Sequence, residues 1–513
     1  MIQTERIIKL NEKNILEGYY ILYWMQASVR SEYNHALEYA IELANKVKKP
    51  LFVFFGITEN FPEANLRHYY FLLEGLAEAE TGLKKRKIKL ICRFCDPSKE
   101  VISLSNKACA VVCDRGYLRV QKQWRKHAAE NIKCAVYQVE SEAIVPVNEA
   151  SDKEEFAART LRPKITKKLE KYLIAPPVNK VDISSLGLNI EADRPDIDNS
   201  GTRSSAAVKG SGVSRVRGLE AISEIGGKNL SGHNNGIIDL SDIGALITKM
   251  SSIDRSVFRS PYFKGGEAAA LAAMEDFIDN RLDTYDTMRN DPALNHLSHL
   301  SPYLHFGHIS PLKIAMAIKN SKAPAEAKEK FLEELIVRRE LSFNFCEYNH
   351  RYDSHGSLPD WAVQTLDNGA KDKRPYIYET ADLEYARTHD HCWNAAQLQM
   401  IVSGKMHNYM RMYWGKKIIE WTPDFRTAYK TALYLNNKYN LDGRDPNSFA
   451  GVAWCFGKHD RPWTRRPIFG SIRYMNEAGL KRKFDMEAYI ESVAKICADN
   501  DYELDSLTHL MEK

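Results

Sequence analysis

An α/β domain with a Rossmann-like, mostly parallel sheet, followed by an all-α domain, is what three features of the 513-residue sequence predict. Short β-branched and aromatic runs alternate with amphipathic stretches over residues 19–139. Aromatic side chains then vanish from 174 to 257. Beyond 266 the apolar spacing is helical throughout, and six of the eight tryptophans fall between Trp361 and Trp463. A chain of this length exceeds one ordinary core, so two or more domains are expected, with boundaries at 1–173, 174–257 and 258–513.

The elements follow in order. YYILYW at 19–24 and LFVFF at 51–55 are apolar, β-rich runs, and 88–94, 110–113 and 135–139 continue the series. Helical spacing over 31–47 (Tyr33, Leu37, Ala40, Ile41, Ala44) and over 65–85 separates the strands. Strand–helix–strand alternation predicts parallel pairing with helices on both faces. Such sheets bind ligands beyond the carboxyl ends of their strands. The Gly-x-Gly-x-x-Gly fingerprint and the Walker A loop are both absent, which disfavours ordinary NAD or ATP binding. Segment 174–257 is rich in Gly, Ser, Asn and Asp and is expected to be a linker with a polar, mobile insertion. Short helices are expected within it at 218–225 and 241–249. Helices are then predicted over 267–287, 311–320, 325–344, 383–387, 393–403, 407–419 and 424–438.

An apolar content of 44% and a charged content of 27% are those of a soluble globular protein. No stretch is long and apolar enough to cross a bilayer, and the N-terminus lacks a secretory h-region, so a cytoplasmic location is expected. The net charge of +5 permits nucleic-acid binding without requiring it. Segment 459–473 is locally basic, with His459, Arg461, Arg465, Arg466 and Arg473. Nine scattered cysteines fit a reducing compartment. Cys92, Cys95, Cys109 and Cys113 have spacings that suggest zinc, but they lie in predicted strands and read better as small hydrophobes. No metal is expected.

Four motifs stand out in the helical half: RNDP at 289–292, LSPYLHFGHIS at 300–310, GKMHNYMRMYWGKKI at 404–418 and LDGRDPNSFAG at 441–451. Trp414 and Trp421 lie seven residues apart, on one face of a helix. As a pattern alone, such a stripe is most often core packing. Together the motifs and architecture resemble the photolyase/cryptochrome flavoproteins, specifically the class II cyclobutane pyrimidine dimer (CPD) photolyases, almost end to end. The aromatic-free insertion around 180–250 is longer than usual for that family.

The resemblance implies a helical FAD-binding domain, with FAD active as FADH⁻, and light-driven electron transfer to a pyrimidine dimer flipped out of UV-damaged DNA. It assigns the flavin site to Tyr285, Leu297, Ser298, His299, Leu300, Ser301, Arg411, Asn436 and Asp442. Ser298 and Ser301 suit a phosphate cradle at a helix start, or helix capping. Arg411 and Asp442 are the paired charges beside the flavin ring, and Asn436 faces its N5. A neutral amide there tolerates an anionic reduced flavin. Trp414, Trp393 and Trp421 form the photoreduction relay, in that order from flavin to surface. Glu334 is the acid at the dimer, where a half-buried pocket would raise its pKa; its plain alternative is a helix charge paired with Arg338. Met412 contacts the pyrimidines, and Trp454 and Trp463 are aromatic walls. Arg289, Arg461, Arg465 and Arg473 are candidates for DNA contacts. Arg338 departs from members that carry Trp four residues after the glutamate. The α/β domain would hold an antenna, either 8-hydroxy-5-deazaflavin or methenyltetrahydrofolate. A monomer is expected. A cryptochrome-like photoreceptor and a (6–4) photoproduct repair enzyme, with His305 or His407 as its histidine, are the alternatives. The short tail after 484–490 argues against the photoreceptor.

Overall fold

The computed structural model describes residues 1–188, 190 and 236–502. Six strands form one sheet: β1 Ile7–Lys9, β2 Tyr20–Trp24, β3 Leu51–Ile57, β4 Lys89–Phe94, β5 Ala108–Asp114 and β6 Ala135–Val139. The order is β1-β6-β5-β2-β3-β4, all parallel except β1, which runs antiparallel to β6. The five parallel strands are those expected. β1 escaped the sequence reading because three residues at a sheet edge are too few to show a period.

Strand alternation splits the core in two. Ile21 and Tyr23 pack with Val53, Phe55 and the helices His35–Val47 and Leu66–Lys85. Tyr20, Leu22 and Trp24 face the other way, onto Phe52, Phe54, Val101 and Ala128, beneath the helices Pro97–Ser105 and Arg119–Asn131. Asn34 and Asp96 cap two of these helices by accepting backbone N–H bonds. Cys92 and Cys113 are buried in β4 and β5, where burial pushes their thiols up.

The remainder is helical, and three of the expected helices differ from expectation. The 267–287 helix stops at Asn280, and a 3-10 turn, Leu282–Thr284, leads into the short helix Tyr285–Met288. The 325–344 helix is three pieces: Ala325–Leu332, a π-helical stretch Glu333–Arg338, and Arg339–Tyr348. The helix expected at 383–387 lies earlier, at Thr380–Glu384. The helices His391–Ser403, Asn408–Trp421 and Phe425–Tyr439 form close to expectation. Pro446–Cys455 was not predicted, although Asp445 caps it and Pro446 opens it, both ordinary helix-start signals. Of the two short helices expected in the insertion, Ile243–Lys249 forms. The other, at 218–225, lies outside the described residues. Among the described residues no helix is long and apolar enough to cross a membrane.

The two halves meet through buried polar contacts. The Arg67 guanidinium, from Leu66–Lys85, donates to the carbonyls of Phe258, Met400 and Tyr439 at 2.9, 3.2 and 2.7 Å. Glu340, from Arg339–Tyr348, accepts the backbone N–H of Ile144 at 2.6 Å.

Candidate active site

A cavity of about 380 Å³ opens among the helices Asn408–Trp421, Phe425–Tyr439 and Pro446–Cys455, the π-helical stretch and the 297–301 turn. Every residue assigned to the flavin site lines it: Tyr285, Leu297, Ser298, His299, Leu300, Ser301, Arg411, Asn436 and Asp442. So do Glu334, Met412, Trp414 and Trp454. Sequence spacing would scatter these residues over 170 positions of chain, yet the fold gathers them on one wall system.

One end of the cavity is built for negative charge. The Lys405 ammonium donates to Ser301 Oγ at 2.8 Å, and burial pulls its pKa down to about 8. Lys405 was not singled out in the sequence, although it stands inside the 404–418 motif. The helix Ser301–His305 is only one turn long and neither serine caps it, so the positive charge here comes from Lys405 rather than from a helix dipole.

Next to it, Arg411 Nη2 donates to both oxygens of Asp442, at 2.7 and 3.0 Å, and to Asn440 Oδ1 at 3.2 Å. Burial alone would raise the Asp442 carboxyl, but Arg411, Lys405 and Ser301 together hold it below the usual range. The Asn440 amide donates to Asn436 Oδ1 at 3.0 Å, and Asn436 Nδ2 donates to Ser448 Oγ. Asn436 is thus a buried middle link of a polar chain, held on both sides of its amide, which fixes the amide's orientation. The sequence reading does not single out Asn440 or Ser448, whose partners Arg411 and Asn436 respectively come from separate helices.

The residues present fit FAD. Arg411 Nε is buried with no hydrogen-bond partner among the described residues, which calls for an acceptor from outside the chain. A Cβ on Gly451 would meet nothing within 4 Å, so its backbone faces open cavity space.

At the other end Arg289 Nη1 donates to Glu334 Oε1 at 2.9 Å, with Glu334 40% exposed. The Glu334 carboxylate thus accepts a hydrogen bond from a neighbouring cation. Arg289 also lies over the Tyr285 ring at 5.5 Å, so it touches two residues of the cavity wall, Tyr285 and Glu334, without itself lining the cavity. Arg338 pairs with Glu333 at 3.3 Å, not with Glu334, and lies over Trp454 at 5.6 Å. The π-helical turn adds a residue where both Glu334 and Arg338 line the cavity, and such turns are frequent at functional sites. Trp463 is not among the residues lining the cavity. It is 42% exposed, between Arg461 and Arg473 at 5.6 and 5.3 Å. Arg465 and Arg466 are exposed, with Arg466 over Tyr474. These residues form a cationic, aromatic surface outside the cavity.

Trp414 lines the cavity, and Trp393 stacks on it with ring centroids 6.3 Å apart and planes within 5°. Trp393 Nε1 donates to the Trp414 carbonyl, and Trp414 Nε1 to Gln397. Trp421 meets Trp393 edge-on at 5.6 Å. The order of contacts is the one expected, but Trp421 is 1% exposed and does not reach the surface.

A second cavity, of about 110 Å³, lies beyond the carboxyl ends of β2 and β3 and is lined by Trp24, Gln26, Gly56, Phe61, Trp124 and Arg444 among others. Trp24 Nε1, both amide atoms of Gln26, and Arg444 Nε and Nη2 are buried there without partners among the described residues.

A parallel-sheet domain is thus joined to a helical domain whose cavity combines buried cations with stacked tryptophans, an arrangement that suits an anionic aromatic cofactor. The DNA photolyase family model matches residues 21–182. The chain is 46% identical over 494 residues to a deoxyribodipyrimidine photo-lyase of Methanothermobacter thermautotrophicus, covering 96% of this chain and 99% of that one. It is 37% identical over 481 residues to one from Potorous tridactylus, covering 92% and 81%. Two solved structures share the fold. A bacterial class III photolyase from Agrobacterium tumefaciens matches with a TM-score of 0.65, 17% identity and coverage of 97% and 93%. An archaeal photolyase from Sulfolobus tokodaii, described with two FAD molecules, matches at 0.63, 15%, 96% and 97%. The chain belongs to the photolyase/cryptochrome family, as a deoxyribodipyrimidine photo-lyase. It is an enzyme of light-dependent DNA repair, in a family that binds FAD.

Proposed function

We propose that the chain is a class II photolyase that splits CPDs. The observation that carries this reading is that Glu334, held by Arg289, lines the same cavity as Lys405, Arg411 and Asp442. Carboxylate and guanidinium side by side offer an acceptor and a donor to the N–H and C=O groups of a pyrimidine edge. A damaged pair is weakly stacked, so flipping it into such a pocket costs less than flipping intact bases. Trp454 and Met412 exclude water around it, and Arg338 extends the wall as a cation. The surface formed by Arg461, Trp463 and Arg473 suits DNA backbone contacts. Lys405, Ser298 and Ser301 would hold the FAD diphosphate, and Asn436 with the Arg411–Asp442 pair its ring. When bound in its reduced form and excited by blue light, FAD supplies the one electron that splits the cyclobutane ring.

Histidine placement favours CPD over (6–4) repair. His305 is engaged by Asp445 at 3.1 Å, His459 by the Phe156 carbonyl, and His299 by Asn295. His407 caps Asn408–Trp421, and burial brings its pKa to about 4. The unpartnered polar atoms of the second cavity support a flat antenna heterocycle with donor and acceptor edges. Denaturing the purified protein and identifying the released chromophore by mass distinguishes a deazaflavin from a folate.

The deciding experiment compares duplexes carrying one CPD or one (6–4) lesion, with pre-reduced enzyme in blue light and in the dark. Light-dependent loss of the CPD alone is expected; loss of the (6–4) lesion, or of neither, overturns the reading. Glu334→Ala should lower repair kcat/KM by about 10–100-fold, which is ~1.4–2.7 kcal/mol, with FAD content unchanged.

A further inference from the structure

Trp421, the outermost tryptophan of the stack, is enclosed, so an electron arriving from solvent must reach it through something else. Two aromatic groups cover it. Tyr378 meets the Trp421 ring edge-on at 5.5 Å, and the Tyr378 backbone N–H donates to the Trp421 carbonyl at 3.0 Å. His389 meets the same ring at 5.3 Å. The two are bonded to each other. The His389 backbone N–H donates to the Tyr378 oxygen at 3.0 Å, and that oxygen lies 2.7 Å from His389 Nδ1. With its oxygen already accepting the backbone N–H, the phenol directs its own hydrogen to the imidazole. Tyr376, 47% exposed, stacks on the outer face of His389 at 3.7 Å.

We propose that the electron path ends not on Trp421 but on the Tyr378–His389 pair, where Tyr378 gives its electron to oxidised Trp421 and its phenolic proton to His389 Nδ1. The balance is closed. Trp421 regains one electron, Tyr378 loses one electron and one proton, and His389 gains the proton. An exogenous thiol later reduces the tyrosyl radical, and the proton returns from His389. This inference rests on the reading of Trp414, Trp393 and Trp421 as a relay.

Electrostatics favours the transfer. Lys417 Nζ lies 5.3 Å from the Trp421 ring centroid, an attraction for the neutral ring that becomes repulsion once the ring is a cation. Glu420 and Asp390, at 2.8 and 4.0 Å, temper the ammonium. A neutral tyrosyl radical carries no such penalty, and the positive charge passes to an exposed imidazole. Burial lowers the His389 pKa, with Lys417 adding to this and Asp390, Glu477 and Glu420 opposing it, so the ring is a free base at neutral pH.

The test uses the FAD-loaded protein, oxidised, under flash excitation with transient absorption and electron paramagnetic resonance. The wild type should give a long-lived tyrosyl signal whose formation slows in D₂O. In Tyr378→Phe the trapped radical should be a tryptophan with a severalfold shorter lifetime. His389→Ala should keep the tyrosine but lose the isotope effect and most of the tyrosyl yield. FAD content serves as the folding control for each variant. A tryptophan radical of equal lifetime in the wild type and in Tyr378→Phe overturns the terminus, provided that Trp414→Phe abolishes both. Undiminished radical yield in Trp414→Phe overturns the relay itself, and the terminus with it.

Discussion

Lys405 shows how a single buried charge declares a ligand. An ammonium taken out of water loses hydration that one serine hydroxyl cannot replace. Asp442 is the one anion near it among the described residues and is already paired with Arg411. Two cations thus share one carboxylate, and a second anion is accommodated beside Lys405. Its pKa of about 8 applies to the flavin-free protein, and a bound diphosphate would raise it. FAD affinity is therefore expected to be highest below pH 8 and to fall as pH rises above it, as fluorescence titration of the apoprotein at several pH values would show. Lys405→Ala should weaken FAD binding by about 10–100-fold, the ~1.5–3 kcal/mol of a charge-assisted hydrogen bond, and should flatten that pH dependence. Most of the flavin-site residues were legible in the sequence because they stand inside motifs. Lys405 stands inside one too, but its burial depends on Ser301, 104 positions away.

At the scale of elements, the cavity wall depends on the close approach of Asn408–Trp421 to Pro446–Cys455. A Cβ at Gly415 would lie 2.7 Å from Cys455 Sγ, closer than packed atoms tolerate. Gly415→Ala should therefore destabilise the protein by ~1–3 kcal/mol and lower its FAD content. Adding Cys455→Ala removes the obstructing sulfur and should recover much of the loss. A melting-temperature double-mutant cycle measures the coupling, and additive effects would exclude this contact as the cause. The π-helical stretch illustrates what local pattern does not reveal. Helical spacing was correctly read over 325–344, but a single wide turn within it leaves the apolar periodicity almost unchanged while re-aiming Glu334 and Arg338.

At the scale of the whole molecule, the two halves are joined by groups whose charge state depends on their union. Glu340 is buried, accepts the Ile144 N–H with one oxygen and has no hydrogen-bond partner for the other among the described residues, and burial pushes its pKa up to about 8 from an ordinary 4.5. Because the folded value is the higher one, the stability that this acid contributes is fully present below about 4.5 and is lost as pH rises through 8. Glu340→Gln mimics the protonated acid. It should leave Tm little changed near pH 5, raise it relative to wild type near pH 8, and flatten the curve between them. Parallel Tm curves for the two proteins over that range would show that the clamp is insensitive to protonation.

Strand alternation, helix spacing and cap residues depend on neighbours a few positions away, so the sequence alone determined the parallel sheet, the helical second half and most of the helix limits. Its motifs carried the family and the flavin-site residues with them. Burial and ion pairing depend on groups brought together from separate elements of the chain. Only the tertiary structure, therefore, decided that Glu334 pairs with Arg289, that Trp463 stands outside the cavity between two arginines, and that Trp421 is sealed behind Tyr378 and His389.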